Sequence, residues 1–346
     1  VGDWFNNFAL NSLAPYVVFL AAGAILSWLV RRFYVFDRIK HLAVRRFNAR
    51  DKVEELGRVR LTEVDGLIEG GELIDFRLGD APRMAATTSA PEDHWSCDPD
   101  VVGAAKLVRA ERYHPPKGEN RPHGVITGSP RSLRATQTYP FLGVDYALIT
   151  AARAAGHKPH IMSAGGIVFC PSAGKVLLQQ RSDKVETFPS KFHVLGGNYE
   201  PATLVNENDD LREPGRYGLR RTAIREIHEE SGLAVDLADN HPHLVFHEDE
   251  TGFIGLVFLG IAVDSTRLSG VVGTHQEGGV KFYSFKEIGD LAEAGQLAFV
   301  PTGLQTLMFW LSLGAPDGNC NLPCRKQALA CYDRLKANLS KIDTSI

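Results

Sequence analysis

The spacing of apolar positions changes several times along the chain, and each change marks an expected element. From Trp4 to Val30 no residue is charged, and Leu13 to Val30 is almost wholly apolar, long enough to cross a bilayer as a helix. Arg58-Val59-Arg60-Leu61-Thr62-Glu63-Val64 alternates with period two and reads as an edge strand, paired with Glu72 to Leu78 across Gly70-Gly71. Ala85 to Asp100 is loop-like, Val101 to Arg112 has helical spacing, and His114 to Arg131 reads as a long Pro/Gly/basic loop. Phe141 to Ala155 reads as an amphipathic helix.

From Ile161 the pattern becomes β-rich. Strands are expected at Ile161 to Cys170, Lys175 to Arg181, Leu244 to His247, Phe253 to Val263 and Gly279 to Phe285. Helices are expected at Glu287 to Glu293, Thr302 to Leu313 and Arg325 to Ile342. Strands on both sides of an embedded helix, closed by a C-terminal helix, predict an α/β class fold: an α/β/α sandwich with a mixed sheet. The expected organisation is an anchor at 1–34, a basic juxtamembrane segment and an irregular α+β linker region at 35–157, the sandwich at 158–315, and a helical extension at 316–346.

Charge refines the reading of the first segment. The chain of 346 residues is 44% apolar with a formal charge of −3, so nothing pushes it as a whole toward nucleic acid. Only Asp3 precedes the apolar run, whereas Arg31, Arg32, Arg38, Lys40, Arg45, Arg46, Arg50 and Lys52 follow it. That order suits a single-pass membrane helix with its N-terminus outside and the remainder in the cytoplasm. A cleaved signal peptide wants basic residues before the run and small residues after it, the reverse of what is present. The basic stretch with Phe33, Tyr34, Phe36 and Phe47 suits anionic lipid headgroups, and no direct nucleic-acid binding is expected. The five cysteines lack zinc spacing and read as free thiols. Arg121, His123, Ser129 and Arg131 sit in the basic loop, where a solvated linker and a phosphate contact are both open readings.

The candidate chemistry lies in Arg225-Glu226-Ile227-His228-Glu229-Glu230-Ser231-Gly232-Leu233. In a helix, Glu226, Glu229 and Glu230 stand at i, i+3 and i+4 and share one face, with Gly232 as a stop. An acidic solvated face explains that pattern, and so does a seat for a hard divalent cation. Upstream, Phe192-His193-Val194-Leu195-Gly196-Gly197 is a short apolar strand running into paired glycines, followed by Glu200.

Strand, Gly-Gly and an acidic helix with Arg-Glu-x-x-Glu-Glu-x-Gly resembles the box of the Nudix family, over roughly half the chain from Ile161 to Leu313. The upstream half departs from the family pattern. Glu213-Pro214-Gly215 looks like the remnant of its Gly-Glu turn, with Arg216 and Tyr217 where a glutamate is expected, and residues 198–212 read as an insertion. The resemblance implies a Nudix-type sandwich that cleaves a nucleoside diphosphate linked to some group X, with Mg²⁺ or Mn²⁺ as cofactor. It implies Glu226, Glu229 and Glu230 as metal ligands, Arg225 as the residue that orients them, and Gly196 and Gly197 as the close backbone approach. Glu229 is counted with Arg225 as catalytic. Glu277 is the candidate general base with His275 as runner-up, and Arg181 is a candidate phosphate contact against the reading of a surface ion pair. The implied partners are a nucleotide and the lipid bilayer, with homo-oligomer formation left open. The alternative is a domain that binds a nucleotide, or a cyclic oligonucleotide, without turning it over, since membrane-tethered Nudix-type domains are associated with bacterial cyclic-nucleotide defence.

Overall fold

The computed structural model describes residues 51–87, 89–91, 94–112, 122–134, 136–185, 187–201, 218–271, 278–315 and 324–345. The chain divides into two compact units, Val1–Lys52 and Val53–Ile346. The expected membrane span lies outside the described residues. Among the described residues no helix is long and apolar enough to cross a membrane.

Among the described residues of the second unit, eight strands form a mixed sheet. Its spine runs β1 (Gly71–Leu78), β9 (Pro242–Glu248), β10 (Ile254–Ala262), β5 (Met162–Cys170), β6 (Lys175–Arg181) and β11 (Gly278–Ser284). Two short strands join it, β7 (Phe192–His193) on β6 and β8 (Leu195–Asn198) on β5. β10 and β5 are parallel, and the other pairings of this sheet are antiparallel. β5 pairs with β8 from Ser163 to Gly166 but with β6 only at Phe169 and Cys170.

Alternation along β5 divides the core. Ile167 and Phe169 face one cluster, and Ala164, Val168 and Cys170 face the other. The first cluster is covered by α5 (Phe285–Glu293), α6 (Pro301–Ser312) and α7 (Arg325–Ala337). Every residue of α6 is buried, and Trp310 meets the Phe169 ring edge-on at 5.1 Å. The second cluster is covered by α4 (Gly218–Ser231) and by a small sheet of β2 (Arg83–Ala86), β4 (Thr138–Asp145) and β3 (Pro122–Ile126). Helices α2 (Pro99–Arg112) and α3 (Tyr146–Ala154) complete the accessory region.

Three expectations for residues 53–157 are corrected. Arg58 to Val64 is helical, part of α1 (51–64), and not a strand. Leu56, Leu61 and Val64 pack on the core, Glu54–Arg58 and Arg60–Glu63 pair along the helix, and Phe76 fills the space beside Gly57. β1 therefore pairs with β9, Leu73 opposite Phe246, and belongs to the main sheet. Second, Phe141 to Asp145 continues β4, and the helix begins only at Tyr146, where the Asp145 carboxylate accepts from the Leu148 amide at 2.9 Å. Third, the expected loop contains β3, whose backbone bonds are taken up by β4 and by a bridge from Val125 to Ile161.

Candidate functional site

Glycines bring β8 close to β5 and to α4. Gly196 stands opposite Gly165, and a Cβ on Gly196 would lie 2.7 Å from the Gly165 Cα, so neither strand tolerates a side chain there. At Gly197, next in line, a Cβ would strike the Glu226 carboxylate. The absence of a side chain at 197 is what lets that carboxylate lie on the strand.

The box helix is α4, ended by Gly232 at φ 72°, whose amide donates to the His228 carbonyl at 2.8 Å. Its three glutamates have different surroundings. Glu230 is buried; its Oε2 accepts from the Gly196 amide and its Oε1 from Gln179 Nε2, both at 2.9 Å. Glu226 is buried against Gly197, and its Oε1 lies 2.9 Å from Arg225 Nη1. Glu229 has a half-exposed side chain, and its Oε2 accepts from the same Arg225 Nη1 at 3.1 Å. Arg225 Nη2 donates to the Asn198 carbonyl at 3.1 Å, tying the helix to the end of β8. Among the described residues, no three His, Cys, Asp or Glu side chains converge closely enough to hold a metal ion as they stand.

A cleft of about 410 Å³ lies over this floor. Gly196, Gly197, Glu226 and Glu230 line it, as do Arg181 from β6 and Glu200 from the segment after β8; Glu229 does not. Arg181 donates from Nε to the Thr187 carbonyl at 3.2 Å and from Nη2 to the Thr187 hydroxyl at 3.3 Å. Glu277, His275 and Arg121 lie outside the described residues, as do Glu213 to Tyr217 and most of the expected insertion. Ser129 and Arg131 are not in the cleft lining, and Arg131 Nε pairs with Glu72 at 3.3 Å.

Several cleft residues were not singled out from the sequence. Gln179 is two positions before Arg181 on β6, so the two share a face; a glutamine inside an apolar strand is the signal that finds it. His193 donates from Nδ1 to the Val194 carbonyl, and burial together with the nearby Arg181 charge lowers its pKa to about 4, leaving a neutral ring. Glu248, at the end of β9, is buried and accepts from the Thr251 hydroxyl and, at 3.0 Å, from the Thr302 hydroxyl. Desolvation raises its pKa, while those hydroxyls and the charges of Arg181 and Arg153 act against the rise. Nothing local in the sequence marks Glu248, because its place in the cleft is set by β9 pairing with β10 and by α6 behind it.

The donors available to a cation are carboxylate oxygens, the ligand type that Mg²⁺ and Mn²⁺ take. The Glu226 carboxylate occupies the place a Cβ on Gly197 would take, and it lines the cleft together with the Glu230 carboxylate, an acidic floor that fits such a group. Glu226 and Glu229 already share one cationic atom, the Arg225 Nη1, so the two carboxylates are within reach of a common charge.

No protein-family model matches the chain, and no curated protein matches it. Among solved structures it is similar to the MutT protein of Methanosarcina mazei Go1, at 20% identity and a TM-score of 0.32, over 45% of this chain and 94% of that one. It is similar to the NUDIX domain of Shewanella oneidensis NrtR complexed with ADP ribose, at 16% identity and a TM-score of 0.30, over 45% and 92%. A bifunctional NMN adenylyltransferase/ADP ribose pyrophosphatase of Francisella tularensis is matched at 16% identity and a TM-score of 0.33, over 47% of this chain and 45% of that one. At these values function is read from the site's own residues.

Proposed function

We infer that the second unit is a Nudix-type pyrophosphohydrolase acting on a nucleoside diphosphate linked to a second group. The carrying observation is the seating of the Glu226 carboxylate on side-chain-free Gly197, with Glu230 clamped one turn along by Gly196 and Gln179 on the floor of a cleft that also holds Arg181. Glu226, Glu229 and Glu230 would hold Mg²⁺ or Mn²⁺, with Glu200 as a further carboxylate in the cleft. Such a cation supplies Lewis-acid charge on a phosphate and makes a water acidic near neutral pH. The chain's own residues do the rest. Arg181 draws and orients the phosphates, Arg225 keeps helix and strand in register, and Glu277 receives the proton of the attacking water. Neutral His193, with Nε2 free of the proton carried at Nδ1, offers an acceptor on the cleft wall.

A second reading is favoured by the placement of Glu229. It lies off the cleft lining and is paired with Arg225, which suits a site that retains a nucleotide, or a cyclic oligonucleotide, without cleaving it. For either reading, the uncharged run from Trp4 to Val30 and the basic residues after it support a single-pass anchor that holds the domain at the cytoplasmic face.

The test is incubation of the chain with Mg²⁺ or Mn²⁺ and a panel of nucleoside diphosphate conjugates, following product release and melting temperature together. Hydrolysis is expected, falling at least about a hundredfold in Glu226→Gln and in Glu229→Gln, since a metal carboxylate contributes several kcal/mol of charge stabilisation. A ligand that raises the melting temperature and is recovered intact establishes the binding reading instead.

A further inference from the structure

One end of the cleft is built by residues outside the box. His123, Tyr146 and Arg153 come from the accessory region, and Phe253, just before β10, joins them in the lining. We propose that this end is a nucleobase subsite, so that the small sheet and α3 select the nucleoside while the box holds the diphosphate; the second half of that statement rests on the function inferred above.

The accessory region places these side chains by identifiable means. Tyr146 and Arg153 are seven residues apart on α3, two helical turns, so both leave the same face. The start of that helix is fixed by Asp145, which caps it and pairs with Arg109 of α2. β3 is seated by the Gly124 amide, which donates to the Tyr199 carbonyl at 2.9 Å, and a Cβ on Gly124 would lie 2.5 Å from the Tyr199 ring. His123 is thereby held beside the strand that leads from Gly197 to Glu200.

The chemistry at this end is flat, aromatic and cationic. The His123 and Tyr146 rings meet edge to face at 5.2 Å. The Arg153 guanidinium lies over the Phe253 ring, 5.1 Å from its centroid. Arg153 Nη2 donates to the Thr251 carbonyl at 3.4 Å, but its Nε is buried and has no hydrogen-bond partner among the described residues. A buried charged donor left without an acceptor is costly, and a ligand acceptor placed there removes that cost. A nucleobase meets both requirements, with a π face for the ring and guanidinium and with carbonyl or ring-nitrogen acceptors for Arg153. A sugar or an aliphatic group offers no π face. The cleft volume of about 410 Å³ lies within the range of small-molecule sites.

The experiment is titration calorimetry on the full chain in detergent, with Mg²⁺, using three probes: adenosine diphosphate, adenosine and inorganic pyrophosphate. Wild type is compared with Tyr146→Leu and Arg153→Met. Adenosine diphosphate is expected to bind about tenfold or more tightly than pyrophosphate, the increment of one base stacked on protein. Each substitution is expected to erase that increment and the adenosine signal while pyrophosphate binds as before. Equal wild-type affinity for pyrophosphate and adenosine diphosphate overturns the subsite, as does a parallel loss for both probes in the folded variants. Should Arg153→Met fail to fold, Tyr146→Leu decides, because that side chain is only partly buried. The two readings fail separately: adenosine binding lost in Tyr146→Leu, with no pyrophosphate binding in wild type, refutes the box and keeps the subsite.

Discussion

Replacing Gln179 by leucine tests whether the third glutamate of the box is held by the sheet. Gln179 Nε2 donates to Glu230 Oε1 at 2.9 Å, and both side chains are almost wholly buried, 3% and 4% exposed. Leucine is close to glutamine in size, so the substitution removes a donor with little change in packing. The Gly196 amide still holds Oε2, but Oε1 is left buried with one fewer donor. A hydrogen bond to a charged group contributes about 1.5–3 kcal/mol, so Gln179→Leu is expected to cost about 2 kcal/mol at pH 7. For a unit of this size that is a fall of about 3 °C in Tm. The assay is urea unfolding of wild type, Gln179→Leu, Glu230→Leu and the double variant. The cycle is expected to return a coupling of about 2 kcal/mol, because removing both partners spares the orphaned carboxylate. A loss below about 0.5 kcal/mol in Gln179→Leu, or a coupling near zero, would refute the clamp.

Gly197→Ala is expected to drive the Glu226 carboxylate off β8 and to lower turnover at least about tenfold while costing about 1–3 kcal/mol of stability; unchanged kcat/KM would mean that the seat is not used. His243 is fully buried and its pKa is lowered to about 4 by desolvation, so the unfolded chain takes up a proton first as pH falls below its ordinary 6.5. Stability is therefore present above pH 6.5 and is lost as pH falls toward 4, by roughly 3 kcal/mol from this residue. His243→Phe, beside the Phe258 ring, should shrink that acid loss by the same amount, and an unchanged pH profile of unfolding would show that His243 does not carry it. Deleting residues 1–34 is expected to release the protein from membranes, and continued sedimentation with vesicles would place the attachment elsewhere.

Much of the fold after Ile161 was legible because each element there carries its own period. Lys175–Arg181 is a strand with the expected limits, β5 differs from expectation by one residue at its start, and β10 and α6 differ by one residue at each end. The region before Ile161 was not legible in the same way. Arg58 to Thr62 alternates polar and apolar and still forms a helix, because Leu56, Leu61 and Val64 join the apolar cluster that holds Phe76. Phe141 to Asp145 was drawn into a sheet by β3, which pairs it residue by residue, with β2 reaching it only at Phe141, and no local pattern announces those partners.

The same division holds at the site. The sequence by itself determined the acidic helix, its glycine stop and the paired glycines before it, since helical spacing and the freedom of glycine are local properties of the chain. Only the tertiary structure decided how the three glutamates differ: Glu230 clamped by Gln179 from 51 residues away, Glu226 seated on Gly197, and Glu229 left outside with Arg225. It also decided that Glu248, Arg153, Tyr146 and His123 share their cleft. The physical reason is that burial and hydrogen-bond partners across a sheet are set by strand order, and strand order is a property of the whole packed unit.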